Sequence, residues 1–322
     1  MTFVLQTSRS FGRGTKDLAT DAAQQGIELL TGPSHHALEE LAQDLARVVA
    51  WIAGTGPITA EHMAAAPHLR IIARYGVGVD SVDLDAAHAR GITVTNTPGA
   101  NSGAVADLAI ALILGSLRHV TTDDREARAG RWNALAGREL GSLSVGIVGF
   151  GRIGQGVAQR VSGFGSRVLA HDPYVPADVF QSLGVRQADL DTLFSTCDVI
   201  TLHAPGGELV VTDDRLSLLP PGALLVNTAR ADLMDENLVA AALRDGRLGM
   251  FATDVLAGET NGQPSPLLAE DLAPLVTITP HLGAQTLQAV DAMGQMALDN
   301  VVAVLGGKPP INPVVYEGKE KE

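Results

Sequence analysis

Short runs of Val, Ile, Leu and Ala alternate with helix-like amphipathic segments along nearly the whole chain. In the first third, "FVLQTS" (3–8), "RVVAWIAG" (47–54), "LRIIARYG" (69–76) and "GITVTN" (91–96) predict strands. "HHALEELAQDLA" (35–46) and "TAEHMAAA" (59–66) between them predict helices. A second set follows "RWNALAGREL": "SLSVGIVGFG" (142–151), "SRVLAHD" (166–172), "CDVITLHAP" (197–205), "GALLVNTA" (222–229), "LGMFATDV" (248–255) and "LVTITPH" (275–281). The segment "DENLVAAALRDG" (235–246) opens on acids and closes on glycine, as a helix does. Strands alternating with helices make parallel sheets, and two sets predict two doubly wound α/β domains.

Composition sharpens this. The 322 residues are 46% hydrophobic but only 4% aromatic, so the cores are built from Val, Ile, Leu and Ala. Such cores suit strands covered on both faces. The formal charge of −13 repels phosphate backbones and anionic lipid, which argues against nucleic-acid and membrane partners. The longest apolar stretch, "AIALILGSL" (109–117), is far shorter than a membrane span, and no signal peptide is visible. A cytoplasmic protein is expected. The single cysteine, Cys197, forms no internal disulfide and reads as a buried small residue. No HExxH or Cys/His spacing points to a metal.

Two features carry chemistry. In "GFGRIG", Gly149, Gly151 and Gly154 follow an apolar strand and open an amphipathic helix. The first glycine permits a tight turn, the second a close approach to a pyrophosphate, and the third close helix–strand packing. Asp172 ends the next strand, where a carboxylate accepts from both adenosine ribose hydroxyls and repels a 2′-phosphate; NAD is favoured over NADP. The second feature is a row of polar residues at successive strand ends: Asp172, His203, Thr228 with Arg230, Asp254 and His281. Ligands of open parallel sheets bind at that edge. Arg230 has a permanent charge and a planar fork suited to a carboxylate. Glu259 is close enough in sequence to Asp254 to reach His281, and a neighbouring carboxylate keeps an imidazole charged. A charged His281 can protonate a carbonyl oxygen as hydride arrives at its carbon.

These motifs, with "LVNTARADLMDENLVAAL" (225–243), "ATDVLAGE" (252–259), "TPHLGAQT" (279–286) and "RYGVGVDSVDLDAAHARGITVTNTPGANSGAVAD" (74–107), resemble the D-isomer-specific 2-hydroxyacid dehydrogenases over nearly the whole chain. The resemblance implies a Rossmann NAD domain, 101–286, inserted into a flavodoxin-like substrate domain built from 1–100 plus 287–322. It implies Arg230, Glu259 and His281 as the catalytic set. It places Gly149, Gly151, Arg152, Ile153, Gly154, Asp172, His203, Ala204, Pro205, Thr228, Ala229, Asp254, His281 and Gly283 around NAD, and gives the substrate carboxylate the amides of Val77 and Gly78. A homodimer through the NAD domains is also implied. The pattern departs from the family at Asp107, Ala231, Leu256 and Thr260; Ala231 matters most if that position needs positive φ.

The substrate is less defined. "RYGVGVDSVDL" and "PHLGAQT" look most like phosphoglycerate dehydrogenases, in which Arg74 matches a basic residue near the phosphate. Trp51-Ile52-Ala53-Gly54 lacks a second arginine often found there, leaving Arg138 as an alternative source of charge. A small D-2-hydroxy or 2-oxo acid is therefore expected. The alternatives are 3-phosphoglycerate, a phosphonate analogue, oxidation of formate or phosphite, or an NAD-sensing corepressor-like binding protein. The histidines 35, 36, 62, 68, 88 and 119 read as surface or packing residues, and Trp51 and Trp132 as packing residues.

Overall fold

The structure is a computed structural model and describes residues 2–259 and 264–316. The chain forms two compact units, 1–101 with 284–322, and 102–283. The first carries strands β1 (Thr2–Gln6), β2 (Ile27–Thr31), β3 (Ala50–Ala53), β4 (Ile71–Arg74) and β5 (Thr93–Thr95), all parallel, in the order β2-β1-β3-β4-β5. This is the doubly wound order of flavodoxin-like sheets, with its switch point between β1 and β3. The central strands β3 and β4 are buried at every residue, and Leu5, Leu41, Leu45, Trp51 and Ile72 share one core.

The second unit holds β6 (Ser144–Val148), β7 (Arg167–His171), β8 (Arg186–Gln187), β9 (Val199–Leu202), β10 (Leu224–Asn227), β11 (Met250–Thr253) and β12 (Val276–Ile278). Their order is β12-β11-β10-β9-β6-β7-β8, again all parallel, which is the Rossmann arrangement extended by one strand. Alternate side chains enter opposite layers: Leu225 packs with Phe194, Ile200 and Phe251, whereas Leu224 and Val226 pack with Ile147, Val157 and Ala170. Both faces are covered, so the aromatic-poor, Val/Ile/Leu-rich composition fits.

β2 is not among the runs picked out by pattern. "IELLT" is an edge strand with one fully buried residue, so it lacks the continuous apolar signal of its neighbours. The two-residue β8 is exposed and equally silent. The helix Glu236–Asp245 has the expected ends: Asp235 accepts from the Asn237 amide, and Gly246 follows at φ +81°. Among the described residues, no single helix is long and apolar enough to cross a membrane.

Candidate active site and nucleotide-binding edge

Because every strand of the second unit runs the same way, their carboxyl ends share one edge. At β6 the chain turns through Gly149 (φ +88°) into the helix Arg152–Ser162. A Cβ on Gly149 would lie 2.4 Å from the Ala204 amide nitrogen, and one on Gly154 would lie 2.1 Å from the Gly149 carbonyl oxygen. Gly151 differs: nothing stands within 4 Å of its Cβ position. Two glycines therefore serve packing, and the third leaves open space in front of the helix amides, where a pyrophosphate fits. The helix buries Gly154, Val157, Ala158 and Val161, the spacing of one face. Asp172 follows β7 and accepts from the Phe150 amide at 2.8 Å and the Tyr174 amide at 2.9 Å. It is thereby tied to the glycine turn, with carboxylate lone pairs to spare for hydroxyls.

His203 follows β9. Its Nε2 lies 2.9 Å from the Thr201 hydroxyl and its Nδ1 3.4 Å from the Thr228 hydroxyl. Desolvation pulls its pKa down to about 3, so the ring is neutral. After β10, the buried Asn227 holds the next turn from both sides: its Oδ1 accepts from the Ala229 amide at 3.0 Å and its Nδ2 donates to the Arg230 carbonyl at 2.8 Å. Arg230 is half-buried and donates to the Ala229 carbonyl. Ala231 begins a 3-10 turn with no positive φ, so alanine there creates no backbone strain.

Asp254 is 3% exposed, and its carboxylate accepts from the Thr279 hydroxyl (2.6 Å), the Leu282 amide (2.9 Å) and the Gly283 amide (2.8 Å). The His281 amide donates to the Asp254 carbonyl at 3.1 Å. Asp254 thus organises the turn in which His281 adopts φ +51°, uncommon for any residue but glycine. The Nδ1 of His281 reaches Oε1 of Glu259 at 2.7 Å. This hydrogen bond is the main cause of a raised His281 pKa; Asp254 adds to the rise, while desolvation and Arg230 oppose it. Glu236, also buried, accepts from the Ala257 amide and the Ser265 hydroxyl, fixing the segment just before Glu259.

Asn227 and Glu236 were not foreseen as site-supporting residues. Their signal lay in the quoted motifs, "VNTAR" and "DENL", where one read as the end of a strand and the other as an acidic helix start. Arg138 pairs with Asp198 and donates to the Gly222 carbonyl, so its charge is engaged within its own unit. Trp132, expected to pack, is 85% exposed, whereas Trp51 is buried against His36 and His62. Cys197 is buried, with burial raising its thiol pKa to about 11. Thr260 lies outside the described residues.

In the first unit, the loop after β4 bonds its polar groups unevenly. The Gly76 amide donates to the Thr97 hydroxyl, and the carbonyls of Gly76, Val77 and Gly78 accept from Thr97, Asn96 and Arg74. The amides of Val77 and Gly78 have no acceptor among the described residues. Val77 is exposed and Gly78 partly so, and both lie just beyond the end of β4.

Residues 110–283 match the family model described as D-isomer specific 2-hydroxyacid dehydrogenase, NAD binding domain, and the chain belongs to that family. It is 35% identical over 294 residues to a glyoxylate reductase of Korarchaeum cryptofilum, covering 88% of this chain and 87% of that one. It is 40% identical over 256 residues to D-3-phosphoglycerate dehydrogenase of Mycobacterium tuberculosis, covering 78% of this chain but 48% of the relative. The chain spans about half the length of several curated relatives it matches. The crystal structure of the TT0316 protein from Thermus thermophilus superposes with a TM-score of 0.86 at 35% identity, covering 98% of this chain and 100% of that one.

Proposed function

We propose that the protein is an NAD-dependent oxidoreductase interconverting a small D-2-hydroxy acid and its 2-oxo acid. The observation that carries this reading is the His281–Glu259 pair, a raised-pKa imidazole at the nucleotide-binding edge of a Rossmann sheet. NAD, when bound, supplies or accepts the hydride. The amides of Arg152 and Ile153 and the open face of Gly151 suit its pyrophosphate, and Asp172 its ribose. His203, Ala204, Pro205, Thr228, Ala229, Asp254 and Gly283 complete the surroundings of the cofactor.

Since Nδ1 of His281 is taken by Glu259, Nε2 is the atom that gives or accepts the substrate proton. Arg230 orients the carboxylate and polarises the carbonyl beside it. The Val77 and Gly78 amides receive the carboxylate from the loop after β4, a role their lack of other acceptors supports. The engagement of Arg74 and Arg138 by groups of the protein itself favours a substrate without a phosphate. A cytoplasmic homodimer through the NAD-binding unit belongs to the same reading. Trp132, Leu135 and Val120, all exposed, are apolar groups such an interface would cover.

The test is NADH oxidation by the purified protein with glyoxylate, hydroxypyruvate, pyruvate, 2-oxoglutarate, phosphohydroxypyruvate and phosphonopyruvate. Saturable turnover of at least one supports the reading. Tight NADH binding with no turnover of any would sink it in favour of an NAD-sensing binding protein.

A further inference from the structure

Arg74 ends β4 and is 5% exposed. Its guanidinium donates from Nη1 to the Ala53 carbonyl at 2.6 Å and to the Gly54 carbonyl, and from Nε to the Gly78 carbonyl at 3.0 Å. One planar fork thus joins the end of β3 to the far side of the 76–78 loop. A point-charge ammonium has no comparable geometry. The remaining carbonyls of that loop are held by the Thr97 amide and the Asn96 side chain. With each carbonyl turned inward onto a donor, the Val77 and Gly78 amides are left pointing to an external acceptor.

We propose that Arg74 is a positioning residue that fixes the Val77–Gly78 amide pair for the substrate carboxylate, and not a ligand for a substrate phosphate. This rests on the reading that those amides receive the carboxylate.

The acceptors of Arg74 are themselves rigid. The buried Thr7 hydroxyl lies 3.3 Å from the Gly54 amide, 2.9 Å from Trp51 Nε1 and 2.7 Å from His36 Nε2. Burial lowers the His36 pKa to about 4, so its ring is neutral near pH 7. A neutral His36 accepts the Thr7 proton at Nε2 and donates from Nδ1 to the Pro57 carbonyl, 3.2 Å away. The hydroxyl then accepts two bonds and donates one, its full capacity. His62 Nε2, 2.7 Å from the His36 carbonyl, braces the same turn. This polar network beneath β1 and β3 sets Gly54, and Gly54 with Ala53 sets Arg74.

The test compares Arg74→Gln and Arg74→Lys with the wild type. We expect Arg74→Gln to raise KM for glyoxylate, hydroxypyruvate and phosphohydroxypyruvate by one common factor of about tenfold or more, with kcat and the NADH Kd within about twofold. Arg74→Lys should fall between. A rise confined to phosphohydroxypyruvate would make Arg74 a phosphate ligand and overturn the proposal, as would a lower Tm with every KM unchanged. Hydrogen–deuterium exchange gives a readout independent of turnover. The Tyr75 and Gly76 amides should exchange about tenfold faster in Arg74→Gln while the helix Leu287–Leu305 stays protected. Unchanged exchange there overturns the proposal even if no 2-oxo acid is turned over, an outcome that by itself would remove only the dehydrogenase reading. If Arg74→Gln does not fold, Thr7→Val should produce the same uniform KM rise in weaker form, and Thr7→Ser should restore wild-type values; a normal KM in Thr7→Val would contradict the account.

Discussion

Nδ1 of His281 stands 2.7 Å from Oε1 of Glu259, and this contact is the main cause of the ring's raised pKa. The two side chains are 47% and 32% exposed, so water screens the pair and its worth to stability is small. Its consequence is chemical. A hydrogen-bonded carboxylate stabilises the imidazolium and keeps Nε2 a proton donor to higher pH than in an ordinary histidine. Glu259 in turn is placed by the segment that Glu236 anchors.

The pH dependence should follow that contact. On the proposed mechanism the acid form of His281 is the active one for 2-oxo acid reduction, so kcat should fall as pH rises through the raised pKa. Glu259→Gln removes the main cause of the rise, and the falling limb should move to lower pH in a kcat–pH profile. Linkage has the same sign: a raised folded pKa adds stability that is present in full below the ordinary histidine value and lost as pH climbs through the raised one. A profile that stays in place in Glu259→Gln would show that the pair does not control the titrating group.

Asp254→Asn should harm catalysis without touching a reacting atom. The amide can still accept at one atom, but it presents donors toward a cluster of donors from Thr279, Leu282 and Gly283. Leaving buried donors unmet costs about 1–3 kcal/mol each. Thermal melting should show the loss, and kcat should drop about tenfold or more as the turn bearing His281 loosens. A variant with wild-type kcat would show that the turn holds without the carboxylate.

Much of this was legible in the residues, and what was not has a physical reason. Buried parallel strands announce themselves as Val/Ile/Leu runs, and the glycine turn by its spacing between strand and helix. Edge strand β2 does not, because burial on one side weakens the pattern. Polar residues at strand ends do lie along one edge of the parallel sheet, yet the sequence does not say which hydrogen bonds engage them. Arg74 reads from the resemblance as a cation near a phosphate; its Nε and Nη1 also bond to backbone carbonyls, which its place in the chain does not announce. Asp254 reads as a residue beside the cofactor; that its carboxylate also holds the following turn is visible only in the structure. Both outcomes depend on contacts between segments far apart in the chain.

Gly151→Ala separates cofactor binding from folding. No atom of the protein meets a Cβ there, so Tm without NADH should match the wild type. The methyl would fill the space assigned to the pyrophosphate, and NADH Kd should rise about tenfold or more by fluorescence titration. Unchanged affinity would place the pyrophosphate elsewhere.

Cofactor choice should rest on Asp172. Its carboxylate, anchored by the Phe150 and Tyr174 amides, repels a 2′-phosphate. Asp172→Ser should lower the ratio of kcat/KM for NADH over NADPH by about tenfold or more, the range of a charged hydrogen bond lost. A ratio that does not fall would assign the discrimination to another residue.

The most direct measurement is kcat of His281→Gln with the best 2-oxo acid, alongside its NADH Kd and Tm. A glutamine keeps hydrogen-bonding capacity but cannot carry the proton. The account predicts kcat down by about 10²–10⁴ with NADH binding and folding intact. A variant that turns over at the wild-type rate would show that His281 is not the proton donor, and the central claim would fall with it.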